Sequence, residues 1–125
     1  MESDASANVE LVERFSGAFN RRDLESLLAL CHAEIELDSP AGTFRGLDGA
    51  RQWATKQWEG NTPVEVAIDR LEETEDGRVV HHGRLLFRWA ETGELAQEAA
   101  IRAEFTIADG TVVGWTGGPA EDSQP

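Results

Sequence analysis

Two side chains in this sequence have the type and setting to move a proton, Asp38 and His81. Asp38 lies in the stretch EIELDSPAGTFRG, where Ile35 and Leu37 alternate with Glu34 and Glu36. That pattern predicts a short strand delivering a carboxylate just before a Ser-Pro turn. In an apolar, aromatic-lined site, desolvation would raise the pKa of such a group toward the range useful for a general base. The same residue also reads as a turn former whose oxygen accepts backbone N–H bonds, and the sequence leaves both roles open. His81 is the one histidine that strand alternation turns inward. It reads either as the acid–base partner of Asp38, or the group that orients a water, or as a hydrogen-bonded core residue.

The other reactive residues point to less chemistry. His82 should face outward, unless a bulge exchanges it with His81, and His32 sits at a helix end, where the dipole favours a cation. Neighbouring strand residues such as His81 and His82 cannot ligate one ion, and no HxH, HxxxH or CxxC spacing occurs, so neither a metal nor a cofactor is expected. Gly114-Trp115-Thr116-Gly117-Gly118 lacks the lysine and spacing of a phosphate loop. The single cysteine, Cys31, precludes an internal disulfide, fits a reducing compartment and reads as a small buried apolar residue on a helix.

The elements that must position these groups follow from hydrophobic spacing. Behind Asn8, a plausible N-cap, Leu11, Val12, Phe15, Ala18 and Phe19 mark one face of a helix. Asp23 can cap a second, short helix through Leu24, Leu27, Leu28 and Cys31. After the strand at Glu34–Asp38 and a small return strand at Thr43–Arg45, Asp48 is the expected cap of a third helix carrying Ala50, Trp53, Ala54, Gln57 and Trp58. The period then changes to two. Strands are predicted from Val64, over Arg78–Ala90, over Leu95–Ala108 and from Thr111 to Gly117, joined by Glu75-Asp76-Gly77, Glu91-Thr92-Gly93 and the strong hairpin signal Asp109-Gly110. Residues 1–125 read as one domain with an ordered core of about 8–119 and frayed ends, MESDASA and AEDSQP.

Alternation sorts the strands into faces. His81, Gly83, Leu85, Phe87 and Trp89 share one face of their strand, as do Gln97, Ala99, Ile101, Ala103, Phe105 and Ile107 of the next. In the last strand Val113, Trp115 and Gly117 form one set. Small residues at Gly83, Ala99, Ala103 and Gly117 beside large aromatics leave room for a concavity, unless the tryptophans fill it. Arg102 and Glu104 can pair on the other face, where Val80, Leu86 and Val112 mixed with arginines suit a sheet-to-sheet homodimer.

Charge narrows the partners. The 125 residues carry 24 acidic against 11 basic side chains, a net charge of −13, which repels phosphate backbones and anionic lipid. No apolar run is long enough to span a membrane and no secretion signal is visible. The expected setting is therefore the cytoplasm, with no nucleic-acid or membrane partner.

Taken in order, VERFSGAFNRRDLESLLALCHAEIELDSPAG, FRGLDGARQW and ADGTVVGW resemble the SnoaL-like branch of the nuclear transport factor 2-like superfamily, which includes ketosteroid isomerases and polyketide cyclases. The resemblance covers nearly the whole chain. It implies a cone-shaped α+β fold, with three N-terminal helices packed on a curved antiparallel sheet. Asp38 falls where ketosteroid isomerases hold the catalytic base, and Trp53 and Trp115 fall at pocket-wall positions. Two departures stand out: Phe15 replaces the oxyanion-hole tyrosine, with no Tyr anywhere in the chain, and Ile101 falls at or beside the second donor's place. Without those donors a developing enolate loses its main stabilisation, so ketosteroid isomerase activity itself is not expected. The resemblance implies instead a pocket acting on a small hydrophobic molecule as a proton-transfer isomerase, cyclase, dehydratase or epoxide hydrolase. Asp38 and His81 would be catalytic, and Phe15, Phe19, Trp53, Leu85, Phe87, Ala99, Ile101 and Trp115 would form the walls. The alternative is a non-catalytic ligand-binding or dimerisation module of the same fold.

Overall fold

The helical spacing of Leu11, Val12, Phe15, Ala18 and Phe19 produces α1 (Ala7–Arg21), which buries those residues together with Ser16. In this computed structural model, residues 7–40 and 42–119 are described. The readings for the chain ends (residues 1–6 and 120–125) and for Ala41 of the Ser-Pro turn lie outside them. Asn8 does not cap α1 but lies within it, donating from its side-chain amide to the Glu73 carboxylate and the Gly77 carbonyl at 3.1 and 3.0 Å. Asp23 caps α2 (Leu24–Ala29) as expected, accepting from the backbone N–H of Ser26 at 3.2 Å. Cys31, expected on that helix, instead opens the first strand. The third helix, α3 (Gly46–Trp58), has Arg45 at its N-cap without a side-chain cap, and Asp48 sits within its first turn, where a carboxylate complements the helix dipole.

Six strands follow from the period-two segments: β1 (Cys31–Ser39), β2 (Gly42–Arg45), β3 (Val64–Glu73), β4 (Val79–Arg88), β5 (Leu95–Ala108) and β6 (Thr111–Pro119). They form one sheet in the order β2-β1-β6-β5-β4-β3. The result is an α+β architecture of three helices on a mixed six-stranded sheet. Two expectations about it need correction. Among the described residues only two helices precede the first strand, since β1 and β2 come before α3. The sheet is not wholly antiparallel either: β3 to β6 form the expected meander, but β1 pairs with β6 in parallel. The long connection between β1 and β6 makes that orientation accessible, because parallel neighbours cannot be joined by a tight turn.

Register fixes which side chains share a face. Leu37 pairs with Trp115, Trp115 with Phe105, and Phe105 with Val79; one residue along, Asp38 pairs with Thr116, Thr116 with Glu104, and Glu104 with Val80. Leu37, Phe105 and Val79 are buried in the core with the helices, so the first ladder marks the inner face and the second the outer. Two bulges shift the expected alternation. One between Thr106 and Ile107 brings Val112 opposite Ile107 and into the core, fully buried, rather than onto the outer face. Another, between Phe87 and Arg88, ends the β4 register, and Trp89 lies past the strand, about half exposed.

The outer face is laced with ion pairs, most of them between neighbouring strands and one within β5. Arg84 reaches Asp69 at 2.9 Å and Glu98 at 3.1 Å, Arg88 reaches Glu65 at 2.9 Å, and Arg102 pairs with Glu104 at 3.1 Å as expected. The inner face meets an aromatic cluster from the helices. Phe15 packs edge-on to Phe105 at 5.3 Å, Phe19 lies 5.5 Å from Trp53, and Trp53 lies 4.9 Å from Trp115 between ring centroids. Pairs of this kind contribute about 1 kcal/mol each beyond their buried area.

Candidate functional site

The aromatic cluster does not close completely. A deep cavity of about 50 Å³ remains between α1, α3 and the inner face, lined by Phe15, Phe19, Trp53, Leu85, Ile101, Trp115 and Phe105, with Ser16, Gln57, Val66 and His81. Outside it lies an open bay of about 270 Å³, walled by Pro40, Phe44, Ile101, Trp53 and Trp115, with Ser39, Lys56, Gln57, Gly117 and Gly118. Trp53, Gln57, Ile101 and Trp115 border both spaces. The two adjoin across these four side chains, and their summed volume lies near the lower size limit of small-molecule sites.

Six of the eight expected wall residues line the deep cavity: Phe15, Phe19, Trp53, Leu85, Ile101 and Trp115. Phe87 and Ala99 share the inner face but border neither space, because they sit farther along β4 and β5, opposite Gln97 and Leu85. Gln57, Ser16 and Val66 were not singled out for the pocket. Gln57 lies one helical turn beyond Trp53, which is the signal that would have found it.

The small residues act differently from the expectation that they leave empty space. A Cβ on Gly83 would lie 2.1 Å from the Ala67 carbonyl oxygen and 2.6 Å from His81 Nε2, and a Cβ on Gly117 would lie 2.4 Å from Trp115 Cη2. The first glycine admits a backbone carbonyl and an imidazole, the second an indole ring. Neighbouring groups fill these gaps, which is why the deep cavity is small.

His81 is inside as expected, only 1% exposed. Burial pushes its pKa below the ordinary histidine value; the Ala67 carbonyl opposes that shift, the nearby His82 adds to it and Asp69 opposes it. The ring is therefore neutral near pH 7. Its Nε2 has no hydrogen-bond partner of acceptable geometry, and neither does Trp53 Nε1. These are two buried nitrogens of walls of the same cavity.

Asp38 is elsewhere. It shares the outer face with Glu104 and Thr116, and its carboxylate accepts a hydrogen bond from Thr43 Oγ1 at 2.6 Å. β6 and β5 intervene between β1 and the β4 strand of His81, a separation of roughly 14 Å, with the two side chains on opposite sides. The expected orientation of Asp38 into the hollow is thus corrected. Leu37 takes the inward position, and a period of two sends the next residue out. Among the described residues no group of three or more His, Cys, Asp or Glu side chains could hold a metal ion, and no helix is long and apolar enough to cross a membrane. Burial raises the Cys31 thiol pKa to about 12, and its Sγ–H donates to the Leu27 carbonyl at 3.3 Å.

Comparison with known proteins locates this architecture. The profile of the SnoaL-like domain matches residues 12–115. Among solved structures, a putative polyketide cyclase from Xanthomonas campestris superposes with a TM-score of 0.78 at 17% identity, over 94% of this chain and 93% of that one. TerC, co-crystallised with polyporic acid, gives 0.74 at 22% identity over 94% and 95%. An NTF2-like protein from Burkholderia xenovorans gives 0.69 at 25% identity over 93% and 91%. No curated protein matches the chain.

Proposed function

This chain belongs to the SnoaL-like domain family, and from that premise we propose that it takes up a small, mostly apolar molecule in the hollow between α1, α3 and the inner sheet face. The observation that carries this reading is that the deep cavity and the bay adjoin, with Trp53, Gln57, Ile101 and Trp115 lining both. An aromatic-lined cleft with a few polar atoms at its inner end is the usual form of a small-molecule site. The similar fold of a putative polyketide cyclase and of a protein co-crystallised with polyporic acid supports a flat, ring-containing ligand.

The test is intrinsic fluorescence, since Trp53 and Trp115 form the shared wall. A neutral bicyclic aromatic such as naphthalene is expected to quench it saturably with one site per chain. Replacing Ile101 by Trp, which would occupy the deep cavity or narrow the bay beside it, should weaken the quenching strongly while circular dichroism shows the fold retained. Quenching that never saturates, or that survives Ile101→Trp, would sink the reading.

A second reading, proton transfer on the bound molecule, is favoured by one observation: among the described residues His81 is the only titratable side chain lining the deep cavity. A neutral imidazole there can act as a base. It would do so without Asp38, which lies across the sheet. Any turnover should then fall at low pH, as the ring becomes protonated, and vanish in His81→Gln.

A further inference from the structure

We infer that the molecule bound between α1, α3 and the inner sheet face is an organic anion, and that its carboxylate rests at the rim of the bay against Lys56. This inference rests on the pocket reading above and deepens it, by naming the ligand's charge and the end that stays outside.

Lys56 is the only lysine of the chain and belongs to the last turn of α3. Trp53, Lys56 and Gln57 stand at positions i, i+3 and i+4, which share one face of a helix, and all three line the bay. Trp53 is buried there and Lys56 is exposed, so the lysine occupies the solvent side of the bay. Its methylene stem can lie along apolar surface while the ammonium stays in water. Among the described residues no carboxylate pairs with that ammonium, whereas Arg45, Arg78, Arg84, Arg88 and Arg102 each hold one.

The charges around it point the same way. With 24 acidic side chains in the sequence, carboxylates line other depressions of the surface. Glu10 and Glu13 do so between α1 and α2, Glu104 on the outer sheet face, and Glu91 and Glu94 beside the β4–β5 turn. Among the described residues none lines the bay or the deep cavity. An anion entering the bay therefore meets one unpaired cation and no like charge. The apolar walls exclude water from one side of the resulting pair, which strengthens it. No Arg or Lys lines the deep cavity, and a carboxylate carried that far would be desolvated without a counter-charge, a large penalty. The charged end stays at the rim, and the apolar body points inward.

Three probes on one naphthalene body decide the matter, titrated by calorimetry at neutral pH: 2-naphthylacetate, the uncharged 2-naphthylacetamide and the cationic 2-(2-naphthyl)ethylamine. The acetate should bind roughly fivefold more tightly than the amide, the upper range for one ion pair at an exposed position, and the ammonium more weakly than either. This order is the reverse of what a net charge of −13 imposes at long range, so it isolates a local cation. Lys56→Gln should bring the acetate down to the amide's affinity, and Lys56→Glu should place the ammonium first. The site is exposed, so both variants should fold. Arg51→Gln removes an exposed charge from the same helix but from neither space, and should leave the order unchanged. Equal binding of acetate and amide, or tightest binding of the ammonium, would overturn the inference while leaving the pocket reading intact. An acetate preference that persists in Lys56→Gln, or that Arg51→Gln removes equally, would overturn it as well. If none of the three binds, the pocket reading falls and takes the inference with it.

Discussion

The Trp115 indole packs on Gly117, so close that a single added carbon on the glycine would sit 2.4 Å from Cη2 and 2.5 Å from Cζ2 of the ring. Because Trp115 borders both the deep cavity and the bay, the position of this ring helps set the shape of each. Gly117→Ala should displace the indole and cost about 1–3 kcal/mol of stability, the range of an overpacked site. Urea denaturation would measure the cost, and a shifted tryptophan emission maximum would report the movement. An unchanged emission spectrum together with unchanged stability would show that the ring is not held against Gly117.

The buried imidazole makes stability depend on pH with a definite sign. In the folded chain the His81 pKa is depressed, whereas in the unfolded chain it returns to about 6.5. Below that value the unfolded state binds the extra proton, so His81 lowers stability as pH falls through the window beneath about 6.5 and adds no such penalty above it. Urea midpoints of the unaltered protein should therefore fall more steeply between pH 7.5 and 5.5, a span of about two units around that value, than those of His81→Gln. The difference between the two curves removes the contributions of the carboxylates, His32 and His82. Parallel curves would mean that the ring is protonated inside the fold.

Asp38→Asn should leave ligand affinity in the hollow unchanged and cost about 1 kcal/mol or less, the scale of one exposed hydrogen bond, because the carboxylate contacts Thr43 on the outer face. A large loss of binding or turnover would require that side chain to reach the inner face by a route that the β1 register forbids.

Cys31, 8% exposed and with its pKa raised to about 12, should resist a disulfide reagent at pH 8 and react fully once urea unfolds the chain. Fast reaction of the native protein would show that β1 opens at its first residue.

Much of this architecture is written in local patterns. The spacing of Leu11, Val12, Phe15 and Phe19 specifies the buried stripe of α1, and the alternation in β4 and β5 places His81, Leu85, Ile101 and Phe105 on the inner face. The family's sequence pattern located Trp53 and Trp115 as walls. What escaped depends on distant residues. Val112 is drawn into the core by a bulge that only the pairing with Ile107 reveals. The filling of Gly83 by the Ala67 carbonyl depends on β3, more than ten residues away in sequence. Asp38 could have been placed from the start: Ile35 and Leu37 point inward, so an odd-numbered residue, not Asp38, is the one that period two delivers to the hollow.

The parallel pairing of β1 with β6 has a consequence for biosynthesis. β6 leaves the ribosome after the other five strands of this sheet, yet it stands between β1 and β5 and bonds to both. Until Thr111–Pro119 has been translated, the nascent polypeptide holds a β1–β2 piece and a β3–β5 piece, each with a bare edge that invites association with other chains. The hollow can therefore be completed only after synthesis of its final wall, and a message truncated ahead of Thr111 would yield two unjoined fragments of sheet instead of a smaller version of the same site.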